Sequence, residues 1–136
     1  MNDLLHLAQR MMLHAYAPYS KFHVGAAVRA EDGSIHGGCN VENASYPEGL
    51  CAEAGAIAAL VAAGHKRVVE CLVVGPGPEV ITPCGGCRQK LREFATDETP
   101  IHLCGPDGLH RTVTLGQLLP LSFGPHHLEK QQLEKP

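Results

Sequence analysis

The chain has 136 residues, room for one domain and little for a second. Its 44% hydrophobic and 18% charged content is that of a globular chain and argues against disorder or a fibrous repeat. Lys plus Arg number 11 against 14 Asp plus Glu, a net charge of −3 with no basic run, which argues against a nucleic-acid partner.

Leu4, Leu5, Ala8, Met11, Met12 and Ala15 share one helical face, so residues 3–15 are read as an amphipathic opening helix. Ala17-Pro18-Tyr19-Ser20 ends it. Residues 22–30 and 35–41 are read as two strands joined by the turn Glu31-Asp32-Gly33-Ser34, and residues 43–49 as loop. Residues 51–63 are Ala-rich and nearly all apolar, a buried helix stopped by Gly64. Its apolar run, Ala56 to Ala63, is too short to span a membrane. Residues 68–74 form a continuous apolar run ended by Gly75-Pro76-Gly77-Pro78, as a buried strand would be. Residues 85–95 are read as a helix, 101–104 and 109–113 as strands, and 114–119 as a short helix. The tail after Pro125 is polar and expected to fray. Strands alternating with helices predict an α/β sandwich around a mostly buried sheet.

The start, Met1-Asn2-Asp3, lacks the basic opening of a secretory signal peptide, so a cytoplasmic protein with reduced thiols is expected. Three of the six cysteines stand apart. Cys51-Ala52-Glu53 opens one predicted helix, and Pro83-Cys84-Gly85-Gly86-Cys87 opens the next, one strand later. Cys51, Cys84 and Cys87 can supply the three protein ligands of an open zinc site, the fourth position being left for water. Helix N-termini carry partial positive charge and are expected to stabilise thiolates. Glu53 lies two residues after Cys51, off that helix face, and is placed to move a proton rather than to bind the ion. Other readings stay open at this point. Cys84-x-x-Cys87 alone fits half of a structural zinc knuckle or a thioredoxin-like redox pair. Cys39, Cys71 and Cys104 are read as buried apolar thiols. His126-His127 is read as part of a solvated tail. Asn40 to Tyr46 reads equally as an Asx-rich turn, and Phe22 alone as core.

The pattern resembles the cytidine deaminase family, specifically its short homotetrameric branch. The resemblance runs from about residue 15 to 125. It is carried by Ala15-Tyr16-Ala17-Pro18-Tyr19-Ser20-Lys21-Phe22, Val24-Gly25-Ala26-Ala27, Gly38-Cys39-Asn40-Val41-Glu42-Asn43-Ala44-Ser45-Tyr46, the two cysteine motifs, and Leu118-Leu119-Pro120-Leu121-Ser122-Phe123-Gly124-Pro125. It implies a three-layer α/β/α sandwich around a five-stranded mixed sheet, in a single zinc-dependent domain over residues 1–125 with a polar tail over 126–136. It implies one zinc per chain on Cys51, Cys84 and Cys87, with Glu53 as catalytic proton shuttle. The substrate contacts it implies come from Asn40 and Glu42 at the ribose hydroxyls, Phe22 on the pyrimidine, the Ala52 N–H at the base carbonyl, Val41, and Tyr46 at the border of the site. Phe123 is expected to reach a neighbouring subunit's site in a homotetramer.

The implied reaction is hydrolysis of cytidine and deoxycytidine to uridine and deoxyuridine with release of ammonia, as in pyrimidine salvage. Rivals are deamination of another small heterocycle, a non-catalytic zinc-binding module, and editing of a polynucleotide. The ribose pair, Glu53 and the charge of −3 respectively argue against them. One departure stands out. Three-cysteine members usually carry Arg after the catalytic Glu, whereas this chain has Ala54. Three thiolates on a dication leave a formal charge of about −1, and Arg88, directly after Cys87, is the expected compensating cation.

Overall fold

The computed structural model describes residues 1–134. Helix α1 spans Asn2–His14, with Leu4 and Ala8 buried on one face as their four-residue spacing requires. Strands β1 (Gly25–Ala30) and β2 (Ile35–Cys39) form a hairpin whose turn uses Gly33 at φ 90°. A short 3-10 turn, Tyr46–Glu48, leads into α2 (Ala52–Ala62). Then come β3 (Val68–Val74), α3 (Gly85–Phe94), β4 (Pro100–Gly105), β5 (Gly108–Thr114) and α4 (Leu115–Leu118). Thr114 and Gln117 close a reciprocal capping box at the start of α4.

The five strands make one mixed sheet in the order β2-β1-β3-β4-β5, with β3 and β4 parallel and the other neighbours antiparallel. Side chains alternate between its faces. Ala26, Val28, Val73, Ile101 and Leu103 pack with α2 and α3 on one side, whereas Ala27, Leu72, Val74 and Cys104 pack with α1 on the other. These are the three layers expected.

Two local differences have physical causes. Residues 22–24 do not join β1, because the Asn40 side chain takes the Val24 N–H (2.9 Å) and donates to the Phe22 carbonyl (2.8 Å). Residues 125–134, part of the tail expected to fray, are ordered, and the last two residues lie outside the described ones. The ordered part forms a helix, α5 (Pro125–Glu134), started by Pro in the first turn, where its missing N–H costs nothing.

The register explains why two helix starts meet. Gly25 of β1 pairs with Cys39, the last residue of β2, and with Val74, the last of β3. With β1 antiparallel to both, β2 and β3 run the same way and end at one edge of the sheet. The helices that follow them therefore begin at that edge. The seat of α2 is tight: a Cβ on Gly38 would lie 2.4 Å from the Ala56 nitrogen and 2.5 Å from the Ala52 oxygen. Gly55 faces Gly38 across this contact, the close backbone approach that a glycine inside a helix implies.

Candidate active site

Cys51 and Cys84 are the N-cap residues of α2 and α3, and Cys87 lies in the first turn of α3. Their three sulfurs lie within 4.8 Å of one another, forming the one such group found among the described residues. Cys51 Sγ and Cys84 Sγ are 3.8 Å apart. Two thiolates on a tetrahedral zinc at about 2.3 Å would be separated by about 3.8 Å. Cys51 and Cys84 are exposed and Cys87 is buried, so the triad opens to one side.

The electrostatics differ among the three. The Cys87 backbone N–H, at the start of α3, lowers the Cys84 thiol pKa. Burial raises that of Cys51, and burial and then the Glu53 carboxylate raise that of Cys87. The amide at the start of α3 thus favours the thiolate at Cys84. A dication is the charge that would favour all three as thiolates, so geometry and donor chemistry both fit zinc.

Glu53 is only 4% exposed. Burial raises its carboxyl above the ordinary range, partly opposed by its own backbone N–H and by the Cys87 thiol. A cavity of about 390 Å³ is lined by Tyr19, Ser20, Glu42, Asn43, Tyr46 and Gly49. The cavity that contains the cysteines is larger, about 460 Å³, and is lined by Phe22, Asn40, Cys51, Ala52, Glu53 and Cys84 among others. Both are of small-ligand size. We take the second as the reaction cavity, because Cys51, Cys84 and Glu53 line it.

The candidate binding residues divide between these spaces. Phe22, Asn40 and Ala52 line the reaction cavity, and Glu42 and Tyr46 line its smaller neighbour. Val41 is exposed and exchanges backbone hydrogen bonds with Leu50. Asn40 and Glu42 also hold the loop that carries Phe22. Glu42 accepts from the Tyr19 and Ser20 N–H groups at 3.0 and 3.1 Å and from the Ser20 hydroxyl. Lys21, at φ 61°, sits at the crest of that loop, a non-glycine in the left-handed region held by its surroundings. Phe123 is absent from both linings. It is 57% exposed and stacks on His127 with ring centroids 4.9 Å apart.

Arg88 is tied to the turn before Cys84 and to the end of α4. Its guanidinium donates to the carbonyls of Pro83 (2.7 Å) and Leu118 (2.8 Å) and to the Thr82 hydroxyl (2.8 Å). Its guanidinium bonds to no thiol, because these three acceptors take all of its nitrogens. The sequence reading missed Val24, Val73, Ile81 and Thr82 in the cavity wall. Thr82 was within reach, being two residues before Cys84 in the same turn.

The sequence profile described as the cytidine and deoxycytidylate deaminase zinc-binding region matches residues 1–103. The chain belongs to that family. It is 41% identical over 114 residues to a cytidine deaminase of Sporosarcina psychrophila, covering 84% of each chain. It is 42% identical over 118 residues to a cytidine deaminase of Mycobacterium tuberculosis, covering 87% of this chain and 85% of that one. The fold superposes on a crystal structure of cytidine deaminase from Burkholderia pseudomallei with a TM-score of 0.84 at 40% identity, over 90% of this chain and 98% of that one. Among the described residues no helix is long and apolar enough to cross a membrane.

Proposed function

We infer that this member of the cytidine deaminase family hydrolyses the exocyclic amine of cytidine and deoxycytidine, giving the uracil nucleoside and ammonia. The observation that carries the reading is a buried carboxyl with a raised pKa, Glu53, lining a small-ligand cavity with Cys51 and Cys84, whose sulfurs converge with that of Cys87. A structural metal site has no use for such an acid.

Cys51, Cys84 and Cys87 would hold zinc, which supplies a water acidified toward neutrality. Glu53 takes a proton from the water that attacks C4 of the base. It delivers that proton to N3, then takes the second from the hydroxyl formed at C4 and gives it to the departing amine as the C4–N bond breaks, so that water and nucleoside become uridine and ammonia. The Ala52 N–H is one of the first amides of α2, which the helix itself cannot satisfy, and would meet the base carbonyl. Phe22, 44% exposed, presents an apolar wall for the pyrimidine. The ribose falls to Asn40 and Glu42, whose acceptors suit hydroxyl donors, with Val41 and Tyr46 beside them.

We propose a homotetramer with shared sites. Apart from Glu53, α2 is apolar, and Ala58 and Val61 on it, with Leu50 just before it, remain exposed. Such a patch is characteristic of association between copies. Phe123, outside its own chain's cavity, is then available to another. Residues 1–125 act as one catalytic domain, in the cytoplasm. Loss of cytidine absorbance with stoichiometric ammonia release by the zinc-loaded protein tests the activity, and no loss would contradict it. Light scattering tests the tetramer, and a monomer at micromolar concentration would rule it out.

A further inference from the structure

The Arg88 guanidinium engages all three of its nitrogens, and its acceptors come from two separate segments. Nε and Nη2 hold Pro83 and Thr82, the two residues that lead into Cys84. Nη1 holds the Leu118 carbonyl at the end of α4. The next residue, Gln89, donates to the Phe123 carbonyl (2.9 Å), and one turn on from Arg88, Arg92 Nε donates to the Ser122 hydroxyl (2.9 Å). Helix α3 thereby straps residues 118–123 along its length, and Arg88 is where that strap meets the cysteine turn.

Apart from contacts with Cys51 and Cys87, Cys84 is held by its turn. It is exposed, and its backbone oxygen accepts the Arg88 N–H at 3.0 Å. Two glycines follow it, and a Cβ on Gly85 would meet nothing within 4 Å. Pro83 is buried but has no N–H with which to anchor the turn. Hydrogen bonds from a charged donor are roughly twice as strong as neutral ones. A planar fork can fix several acceptors at once, which an ammonium cannot do.

We propose that Arg88 is a positioning residue of the metal centre: it fixes the Thr82–Pro83 turn against the Leu118 carbonyl and so holds Cys84 in the geometry that retains the ion. The proposal rests on the zinc reading above. The role is geometric, not the supply of a positive charge.

The test compares wild type, Arg88→Ala, Arg88→Lys and Arg92→Ala, each loaded with Zn2+ and checked for folding by thermal melting. Zinc release into excess chromophoric chelator is timed, and the Co2+-substituted forms are compared by their thiolate charge-transfer bands. Loss of an outer partner of a metal site typically costs about 10- to 100-fold in affinity. Arg88→Ala is expected to release zinc faster within that range and to shift the Co2+ band. Arg88→Lys, which keeps the charge, is expected to stay close to Arg88→Ala, and Arg92→Ala close to wild type. If Arg88→Ala does not fold, Arg88→Lys decides alone. Wild-type release and an unchanged band in the lysine variant would overturn the proposal. A wild-type chain that holds no zinc would instead overturn the functional reading.

Discussion

On the α2–α3 side of the sheet, Val28, Leu60, Val73, Leu91, Ile101 and Leu103 form a continuous apolar layer. On the other side, α1 packs on β1, β2 and β3, and its apolar cluster is smaller. Beyond its reach, polar groups are linked in a row from α1 to β5. Arg29 joins Asp3 (2.7 Å) to Glu70 (3.0 Å), Glu70 meets His102 Nε2 (2.6 Å), and His102 Nδ1 meets Thr112 (2.9 Å). Among the described residues no buried side-chain nitrogen or oxygen lacks a partner. The comparison teaches where each kind of cohesion is used. The face that aligns the cysteine helices is held by shape, and the face remote from them tolerates polar groups because each is satisfied.

The largest break in this contrast is Leu60→Ala. Leu60 is fully buried beneath α2, and its loss should cost about 2–5 kcal/mol in chemical denaturation. A cost below that of a surface change would mean that the apolar face is loosely packed. Next is Gly38→Ala. The new methyl would meet backbone of α2, which cannot rotate away, so about 1–3 kcal/mol is expected. Because α2 carries Cys51 and Glu53, turnover of the folded protein should fall as well. Unchanged kinetics would show that the α2 seat does not set the site.

The polar face is sharpened by Glu70→Gln. Burial raises the Glu70 carboxyl, but the hydrogen bonds from His102 and Arg29 outweigh it and leave the pKa lowered. Its stabilising contribution is therefore present above the unfolded value of about 4.3 and lost as pH falls through the lower folded value. Glu70→Gln should cost about 1–3 kcal/mol near neutrality and flatten the acid side of the stability profile. An unchanged acid slope in urea melts would remove Glu70 from the account. Smallest is Asp3→Ala. Asp3 is half-exposed, so water and salt screen its ion pair with Arg29, and the urea midpoint should barely move; a large shift would mean that this pair anchors α1.

What could be read in the sequence follows the same division between local and distant contacts. The core helices and strands were legible because period and punctuation are local: residues 68–74 end at Gly75-Pro76, and residues 51–63 end at Gly64. The thiol triad was legible because each half is a short motif at a helix start. Contacts between distant loops were not. Arg88 was read by its nearness to Cys87, yet its bond to Leu118 spans thirty residues and depends on where α4 ends. Asn40 and Glu42 were read as ligand groups, and nothing in their own segment reveals that both also anchor the loop of Phe22. Helix α5 was missed because a polar stretch carries no apolar period to mark it.

The most direct test of the central claim is zinc content and cytidine turnover measured together on Glu53→Gln. The amide keeps the shape of the side chain but cannot cycle a proton, and general acid–base catalysis contributes about 10²–10⁴-fold. The account predicts one zinc per chain, as in wild type, with turnover reduced at least to that extent. Zinc lost in parallel with activity, or turnover close to wild type with zinc retained, would contradict the role assigned to Glu53.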